Sequence, residues 1–381
     1  MINENCQILL TKSETLPTTI DCLIQHIPLE TQGGFTASDL YQILVRAASN
    51  CDSIENTAKM LKNSSCGRNI RHHLDKINDF DTLESQVNLA LQSQVLPRIK
   101  KRKLKLAIDL NLIPYYGEPS DSEKPYIYRS QAKQGTCSFY AYATLYLIKK
   151  GKRLTLAIRG IRNTDTTVAI ITYLLALGSL LKIDFKTLYL DRGFFSIAVI
   201  RWLQALKIPF IMPAIIRGKT GGIKQFIQGN KSYQTTYTMA QDQNNCVTFD
   251  LWIVCKYKKG KRNQHGIEYF AYVVYLPSIK LDYIHTAYRQ RFGIETSYRI
   301  KNICRLKTPN KKPVIRLLFI GISFLLVNIW VNLLWRKVCF PRRGGRLIYR
   351  ELFTFQQMLS FLKQAIDKIY QVVDTIYLPS G

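Results

Sequence analysis

Between residues 96 and 213 the chain alternates strand-like runs with helical runs, and this alternation restricts the fold more than any other feature. Three strand-like runs come first, KLKLAIDLNLIPYY, SFYAYATLYLIKKG and KRLTLAIRG, and the Gly-Lys-Arg turn between the last two is typical of a hairpin. TTVAIITYLLALGSLL, FKTLYLDRGFF, SIAVIRWLQALKI and PFIMPAII follow as helix, strand, helix and strand. The order β-β-β-α-β-α-β predicts an α/β fold, a mixed sheet with helices on its faces.

The segments around this region differ from it in composition. Residues 1–95 are polar, with apolar residues at helical spacing, and predict a helical N-terminal domain. Residues 214–280 hold strand-like runs joined by Gly-, Asn- and Lys-rich turns, and predict a β-rich insertion. We expect the core to resume over residues 281–340, and a C-terminal helical segment to follow over residues 341–381, with a last helix at Leu352–Val372.

The segment Leu317–Trp335 carries no formal charge and is long enough to cross a bilayer. Asn328 and Asn332 interrupt it, however, and Arg316 and Arg336 border it. A helix that is buried inside a protein is also apolar on most sides. We therefore favour a buried core helix, with a membrane span as the alternative.

The charge balance indicates a polyanionic partner. Lys and Arg total 54 against 26 acidic residues, which gives a net charge of +28, and such an excess usually persists because a polyanion neutralises it. Nucleic acid is the favoured partner because the basic residues are spread along the chain, and an anionic membrane surface is the alternative. Nine scattered cysteines without a CxxC pair favour reduced thiols in a cytoplasmic protein over a zinc cluster. The first residues, MINENCQILLTKSETL, do not resemble a signal peptide.

A pair of short helices in the N-terminal domain is a candidate DNA-binding element. Ser53 is a plausible N-cap of the first helix, and Cys66–Gly67 is expected to form the turn before the second. The second helix carries Arg68 and Arg71, which would suit a DNA groove or backbone in a helix–turn–helix arrangement. A small helical bundle with solvated basic residues is the alternative.

Three acidic residues are candidates for metal-assisted phosphodiester chemistry. Such chemistry can use two divalent ions about 4 Å apart, and Mg²⁺ needs only a few convergent carboxylates. Asp109 lies inside the apolar run LAIDLNLIPYYG, where an unpaired buried acid would be costly, although an acid that caps a turn is the alternative. Asp191 ends a strand-like run, and Gly193 is expected to let the chain bend sharply there, although Asp is also common in ordinary turns.

The third acid, Glu295, lies in the helical run AYRQRFGIETSYRIKNI. In one continuous helix, five side chains at steps of 3, 4, 4 and 3 would share a face, namely Tyr288, Arg291, Glu295, Arg299 and Asn302. A solvated stripe of salt bridges is one interpretation. A DNA-facing surface is the interpretation that we favour, because Arg binds phosphate in a bidentate manner and Tyr can stack on bases.

Three motifs, LAIDLNLIPYYG, LYLDRGFF and YRQRFGIETSYRIKN, resemble those of the insertion-sequence DDE transposases of the ribonuclease H-like (retroviral integrase) superfamily. The second motif is similar to the family's Asp-x-Gly-Phe signature. The third is similar to its Tyr-x2-Arg-x3-Glu-x6-Lys signature, with Tyr288, Arg291 and Glu295 in place. Position 302 is Asn where the signature has Lys, and Arg299 or Lys301 is our candidate replacement.

The resemblance implies a ribonuclease H-like core over residues 96–213 and 281–340, interrupted by the β-rich insertion. It implies catalysis by Asp109, Asp191 and Glu295 with two Mg²⁺ ions, for which Mn²⁺ can substitute. Cleavage at the 3′ ends of the element and strand transfer to target DNA would follow, in a homodimer that joins two terminal inverted repeats.

Further interpretations stay open at this stage. Trp252, in the insertion, is either a core residue, which we favour, or a residue that stacks on a flipped base. The chain as a whole is an active transposase, a catalytically idle DNA-binding descendant, a related nuclease without strand transfer, or a membrane-associated protein anchored by Leu317–Trp335. The three intact acids favour the first of these, acting in the cytoplasm on nucleoid DNA and without a membrane partner.

Overall fold

The computed structural model describes residues 10–99, 103–149, 154–216, 221–257, 266–343 and 345–376, except for the side chains of Arg98 and of residues 292–297. The chain divides into two compact units. The helical unit comprises Met1–Leu96, Pro114–Tyr140 and Ser297–Gly381, and the sheet unit comprises Pro97–Ile113 and Ala141–Thr296. Each unit is therefore assembled from segments that are separate in the sequence.

A mixed sheet forms the centre of the sheet unit. Its strands follow the order β3-β1-β5-β6-β9-β8-β7, and β4 also pairs with β3. The pairs β1–β5 and β5–β6 are parallel. These central strands are almost continuously apolar because both faces of a parallel sheet are covered. The predicted mixed α/β fold is thus confirmed. The strands are β1 (Leu104–Pro114), β2 (Ile127–Lys133), β3 (Thr136–Ile148), β4 (Leu154–Gly160), β5 (Phe185–Leu190), β6 (Phe210–Pro213), β7 (Tyr233–Ala240), β8 (Cys246–Tyr257) and β9 (Ile267–Tyr275).

The β-rich insertion extends this sheet. β9 pairs antiparallel with β6, β8 with β9, and β7 with β8. Burial alternates residue by residue along β7, the edge strand, as expected for a strand with one face on the core and one in water. The sheet therefore continues from the core into the insertion through β9, β8 and β7.

Three helices pack on the sheet unit: α6 (Thr167–Leu180), α7 (Ile197–Ala205) and α8 (Leu281–Arg289). α6 contacts β4, whereas α7 and α8 contact β8. Hydroxyl side chains cap the N-termini of α6 and α7: Thr166 accepts a hydrogen bond from the Ala169 N–H, and Ser196 accepts one from the Val199 N–H. A further helix, α9 (Gly293–Ile303), begins in the sheet unit and ends in the helical unit.

The helical unit confirms the prediction of a helical N-terminal region. N-caps start several helices, among them Ser53, whose hydroxyl accepts the Asn56 N–H as predicted. The helices of this unit are α1 (Lys12–His26), α2 (Ala37–Ser49), α3 (Ile54–Lys59), α4 (Gly67–Asp75), α5 (Phe80–Ser93), α10 (Pro313–Arg336) and α11 (Phe355–Tyr370).

The apolar helix α10 lies in the core of the helical unit. It is long and apolar enough to cross a membrane, but 89% of its most apolar stretch is buried inside the protein. Its two asparagines donate to the end of α5, Asn328 to the Leu91 carbonyl at 3.4 Å and Asn332 to the Gln94 carbonyl at 3.2 Å. These hydrogen bonds satisfy polar groups that would be costly in lipid. The favoured interpretation of a core helix is confirmed.

The sequence analysis missed three local features. β2 was not predicted, because IYRSQAK is mostly polar and pairs only with the first residues of β3. Residues 222–226, in a run predicted as strand, form a 3-10 helix. The C-terminal segment, predicted as helical, opens with an antiparallel ribbon of β10 (Cys339–Arg342) and β11 (Gly345–Ile348). The predicted domain boundaries themselves stay predictions.

Candidate active site

The two predicted catalytic aspartates lie side by side in the sheet unit. The parallel pairing of β1 and β5 ends at Ile108 and Leu190. The next residues in the chain are Asp109, which lies within β1, and Asp191, which directly follows β5. The Asp109 side chain is 12% exposed and that of Asp191 is 41% exposed. Asp109 is held in place by the backbone N–H of Leu110, which donates to Oδ1 at 2.9 Å. Register alone therefore brings two carboxylates 82 positions apart in the chain to one edge of the sheet.

A single guanidinium joins these carboxylates. Arg291 Nη1 lies 3.1 Å from Asp109 Oδ2, and Nη2 lies 3.2 Å from Asp191 Oδ1. The Arg291 side chain is only 6% exposed, so its charge is removed from water and depends on both aspartates for compensation. The guanidinium carbon also lies 5.3 Å from the centre of the Tyr288 ring, within cation–π range.

Tyr288 connects α8 to the strand that precedes Asp191. Its hydroxyl donates to the Leu190 carbonyl at 3.1 Å, and its ring packs against Tyr272 with centroids 5.3 Å apart. Burial is the main reason why the pKa of the Tyr288 hydroxyl is raised above its ordinary value, so the phenol stays protonated and donates at all physiological pH values. Tyr288 thus fixes the position of Arg291 and of the β5 end together.

The predicted continuous helix through the third motif is wrong. α8 ends at Arg289, residues Gln290–Phe292 form a 3-10 turn, and α9 starts at Gly293. The spacing of 3, 4, 4 and 3 therefore does not place the five residues on one helical face. Glu295 lies in α9, but its side chain lies outside the described residues, so its role as the third acid stays a prediction.

Several of the predicted DNA contacts are buried in this structure. Tyr288 and Arg291 contact the aspartate pair or the strand that precedes it rather than solvent. Lys301 is 0% exposed, with Nζ 5.4 Å from the centre of the Phe324 ring, so it lies away from the surface and its role as a DNA contact stays a prediction. Trp252 is 5% exposed, which confirms the core interpretation and excludes base stacking in this conformation. Sequence spacing could not reveal this burial because it depends on what packs against each helix and strand.

Three other predicted DNA contacts are exposed, and their role stays a prediction. Arg299 lies on α9 and Arg68 on α4, both open to solvent. Arg71, also on α4, pairs with Glu55 of α3, with Nη1 and Oε2 2.8 Å apart.

Gly193, which was expected to allow a sharp bend, lies in a 3-10 turn without a positive φ. A Cβ at Gly193 would lie 3.9 Å from Asp191 Oδ2, so the glycine leaves the approach to this carboxylate open.

A cavity of about 560 Å³ reaches Arg192, the residue after Asp191, and of its lining residues the sequence analysis identified only Tyr288. Arg192, Arg289 and His285 line it together with aromatic side chains, Tyr272 and Tyr288 among them. The Tyr272 hydroxyl lies 2.9 Å from His285 Nδ1. The available sequence signal was adjacency, because Arg192 follows Asp191 and Arg289 follows Tyr288 directly. The cavity combines cationic and aromatic groups that suit a nucleotide.

The donor set fits a divalent cation. Carboxylate oxygens are the hard ligands that Mg²⁺ and Mn²⁺ prefer, and the two aspartates already share one cation, the Arg291 guanidinium. Among the described side chains no group of three His, Cys, Asp or Glu residues converges, so a third acidic ligand would have to come from elsewhere. Glu295 is the residue that we predict for that position.

Comparison with known proteins shows the family of this chain. The family model described as "Transposase DDE domain" matches residues 100–329, which is more than half of the chain. Among solved structures, the cryo-EM structure of a piggyBac transposase synaptic complex with hairpin DNA matches with a TM-score of 0.57 at 12% sequence identity. The match covers 98% of this chain and 84% of that chain, and at this identity it shows a shared fold. None of the curated proteins matches this chain. The aspartate pair and the sheet that carries it lie within the matched region, and the chain belongs to the transposase DDE domain family.

Proposed function

We propose that this chain is a metal-dependent DNA transposase that binds the terminal inverted repeats of its element, cleaves at the 3′ ends and transfers them to target DNA. The observation that carries the proposal is the pairing of Asp109 and Asp191 around one cation where β1 and β5 cease to pair. A transposase DDE domain generally uses divalent metal ions, and this pair offers the oxygen donors that they need.

Asp109, Asp191 and Glu295 would hold the metal ions. When bound, two such ions supply an activated water or 3′ hydroxyl and stabilise the leaving oxygen in an in-line displacement. The chain's own residues position the carboxylates: the Leu110 N–H orients Asp109, and Tyr288 ties α8 to the residue before Asp191. Arg291 compensates both negative charges, and bound metal ions would add positive charge at the same carboxylates.

DNA is the proposed partner. The net charge of +28 favours a polyanion, and the cavity of about 560 Å³ is lined by Arg192 and Arg289. Arginine binds phosphate in a bidentate manner, so these side chains suit the strand that enters the site. The structurally similar piggyBac transposase was solved as a synaptic complex with hairpin DNA. We propose by analogy that this chain acts as a homodimer on two DNA ends.

Cleavage of an oligonucleotide that carries the element's end tests the proposal. Asp109→Asn, Asp191→Asn and Glu295→Gln preserve side-chain shape, so each should abolish Mg²⁺-dependent cleavage and leave binding of the end largely intact. Asp184→Asn is the matched control, because Asp184 is exposed and lies just before β5. This variant should cleave at the wild-type rate.

Each outcome separates one part of the proposal. Normal cleavage by any of the three acid variants would remove that residue from the site. A wild-type protein that binds the ends but never cuts them would instead be the idle descendant, and cleavage without joining to target DNA would indicate a nuclease.

A further inference from the structure

A short antiparallel ribbon follows the core helix α10 in the helical unit. β10 pairs with β11 in the register Cys339–Ile348, Phe340–Leu347, Pro341–Arg346 and Arg342–Gly345. We call residues 339–343 and 345–348 the basic ribbon. Its base is closed by the Tyr349 N–H, which donates to the Val338 carbonyl at 3.2 Å. Only two residues separate the ribbon from the end of α10.

The basic ribbon and its flanks carry positive charge alone. From residue 336 to residue 350 the chain has no Asp or Glu, and its six basic residues are all exposed: Arg336, Lys337, Arg342, Arg343, Arg346 and Arg350. Lys337 pairs with Glu14 at 3.4 Å. The side chains of Arg342 and Arg343, near the tip, have neither a hydrogen bond nor an ion pair within the described residues. Crowded like charges without partners destabilise the fold, so the tip is suited to an external anion.

The two faces of the ribbon differ. Directly paired residues of an antiparallel ribbon share a face, so Cys339 lies with Arg346 on one and Phe340 with Arg342 on the other. The first face is anchored to α10: the Arg346 guanidinium and the Cys339 thiol both donate to the Trp335 carbonyl. The second face carries Phe340, a residue that is 59% exposed to solvent. An arginine beside an exposed aromatic ring is a combination that nucleic-acid surfaces use.

We propose that the basic ribbon is a second DNA contact, separate from the aspartate site, which binds duplex DNA of the element end. A two-stranded ribbon fits a DNA groove, in which Arg342 and Arg343 would reach phosphates and Phe340 would pack against sugars or base edges. This inference rests on the proposed function in that both require DNA as the ligand. It adds a site that the DDE chemistry does not need.

The test is the salt dependence of binding to a duplex that carries the element's end. Each phosphate contact contributes about 0.9 to the slope of log K against log salt, so Arg342→Gln with Arg343→Gln should reduce the slope by about 1.8. Between 50 and 200 mM KCl the wild type should then lose about twelve times more affinity than the double variant. Lys363→Gln with Lys368→Gln removes the same charge from α11, outside the ribbon, and should leave the slope near the wild-type value.

Phe340→Ala tests the aromatic contact without changing charge. It should weaken duplex binding at every salt concentration and leave the slope unchanged, with wild-type circular dichroism as evidence of folding. Equal salt slopes for the wild type and the arginine variant would overturn the proposal. A reduction of the slope in the α11 control equal to that in the arginine variant would overturn it as well. Arginine-dependent binding to anionic phosphatidylserine vesicles instead of duplex would assign the ribbon to a membrane and also overturn the proposal. A wild-type protein that binds no duplex at all would overturn the proposed function itself.

Discussion

Replacing Arg291 with Gln tests whether one guanidinium stands in for the metal ions of the active site. The change removes the positive charge that lies 3.1 Å from Asp109 and 3.2 Å from Asp191. Both carboxylates would then lose the cation that they share. We therefore expect a metal-free protein that is less stable than the wild type and that binds metal more tightly.

The structure sets the size of this effect. At an effective dielectric constant of about 20, unit charges 3.1 Å apart attract each other by about 5 kcal/mol, and desolvation offsets part of this. Breaking the mostly buried pair of Arg291 and Asp109 should cost about 3 kcal/mol. Asp191 is 41% exposed, so solvent screening reduces its share to about 0 to 1 kcal/mol. The free energy of unfolding should therefore fall by about 3 to 4 kcal/mol.

Urea denaturation in EDTA and in MgCl₂ measures both halves of this prediction. A metal ion that binds only the folded state at about 100 times its Kd stabilises it by about 2.7 kcal/mol. The Arg291→Gln variant should regain most of its loss in this way. The wild type should gain less, because the ion must displace the guanidinium. Calorimetric titration with Mn²⁺ should show about tenfold tighter binding to the variant, which corresponds to about 1.4 kcal/mol.

Arg299→Gln is the matched control, because Arg299 is an exposed arginine on the following helix and its loss should change stability by less than about 0.5 kcal/mol. Wild-type stability of Arg291→Gln in EDTA would refute the reasoning that the bridge holds the pair. Equal Mn²⁺ affinity in both proteins would show that guanidinium and metal do not compete.

Two further predictions concern the helical unit. Burial lowers the pKa of Lys301 to about 7. Between pH 7 and the ordinary lysine pKa the unfolded chain therefore binds more protons at this residue than the folded protein does, so the free energy of unfolding should rise with pH. The Lys301→Met variant should lack this rise, which is at most about 1.4 kcal/mol per pH unit. Urea denaturation at several pH values measures it, and parallel pH profiles of the two proteins would contradict the prediction. A Cβ at Gly321 would lie 2.9 Å from both methyl groups of Val87, so Gly321→Ala should lower the unfolding free energy by about 1 to 3 kcal/mol. Adding Val87→Ala should restore part of this loss, and purely additive losses in the double variant would argue against that contact.

The two aspartates were predicted from local patterns together with the family resemblance and the order of the motifs, on which Asp109 depended most. An acid inside an apolar strand and another at the end of a later strand indicated Asp109 and Asp191, and parallel pairing placed them together. The helix break at Gln290–Phe292 was not predictable from periodicity. Arg291 was consequently assigned to a DNA surface, whereas the turn directs it to the aspartates.

Periodicity and residue type by themselves indicated where most strands and helices form, because strand and helix each impose their own spacing on apolar residues. They also determined which acids interrupt apolar runs. Only the tertiary structure decided which side chains are removed from water. Lys301 and Arg299 lie two positions apart in one helix, yet the first is buried beside Phe324 and the second is exposed. Arg291 is paired with two carboxylates for the same reason: a buried charge must find its partner nearby in space, wherever that partner lies in the chain.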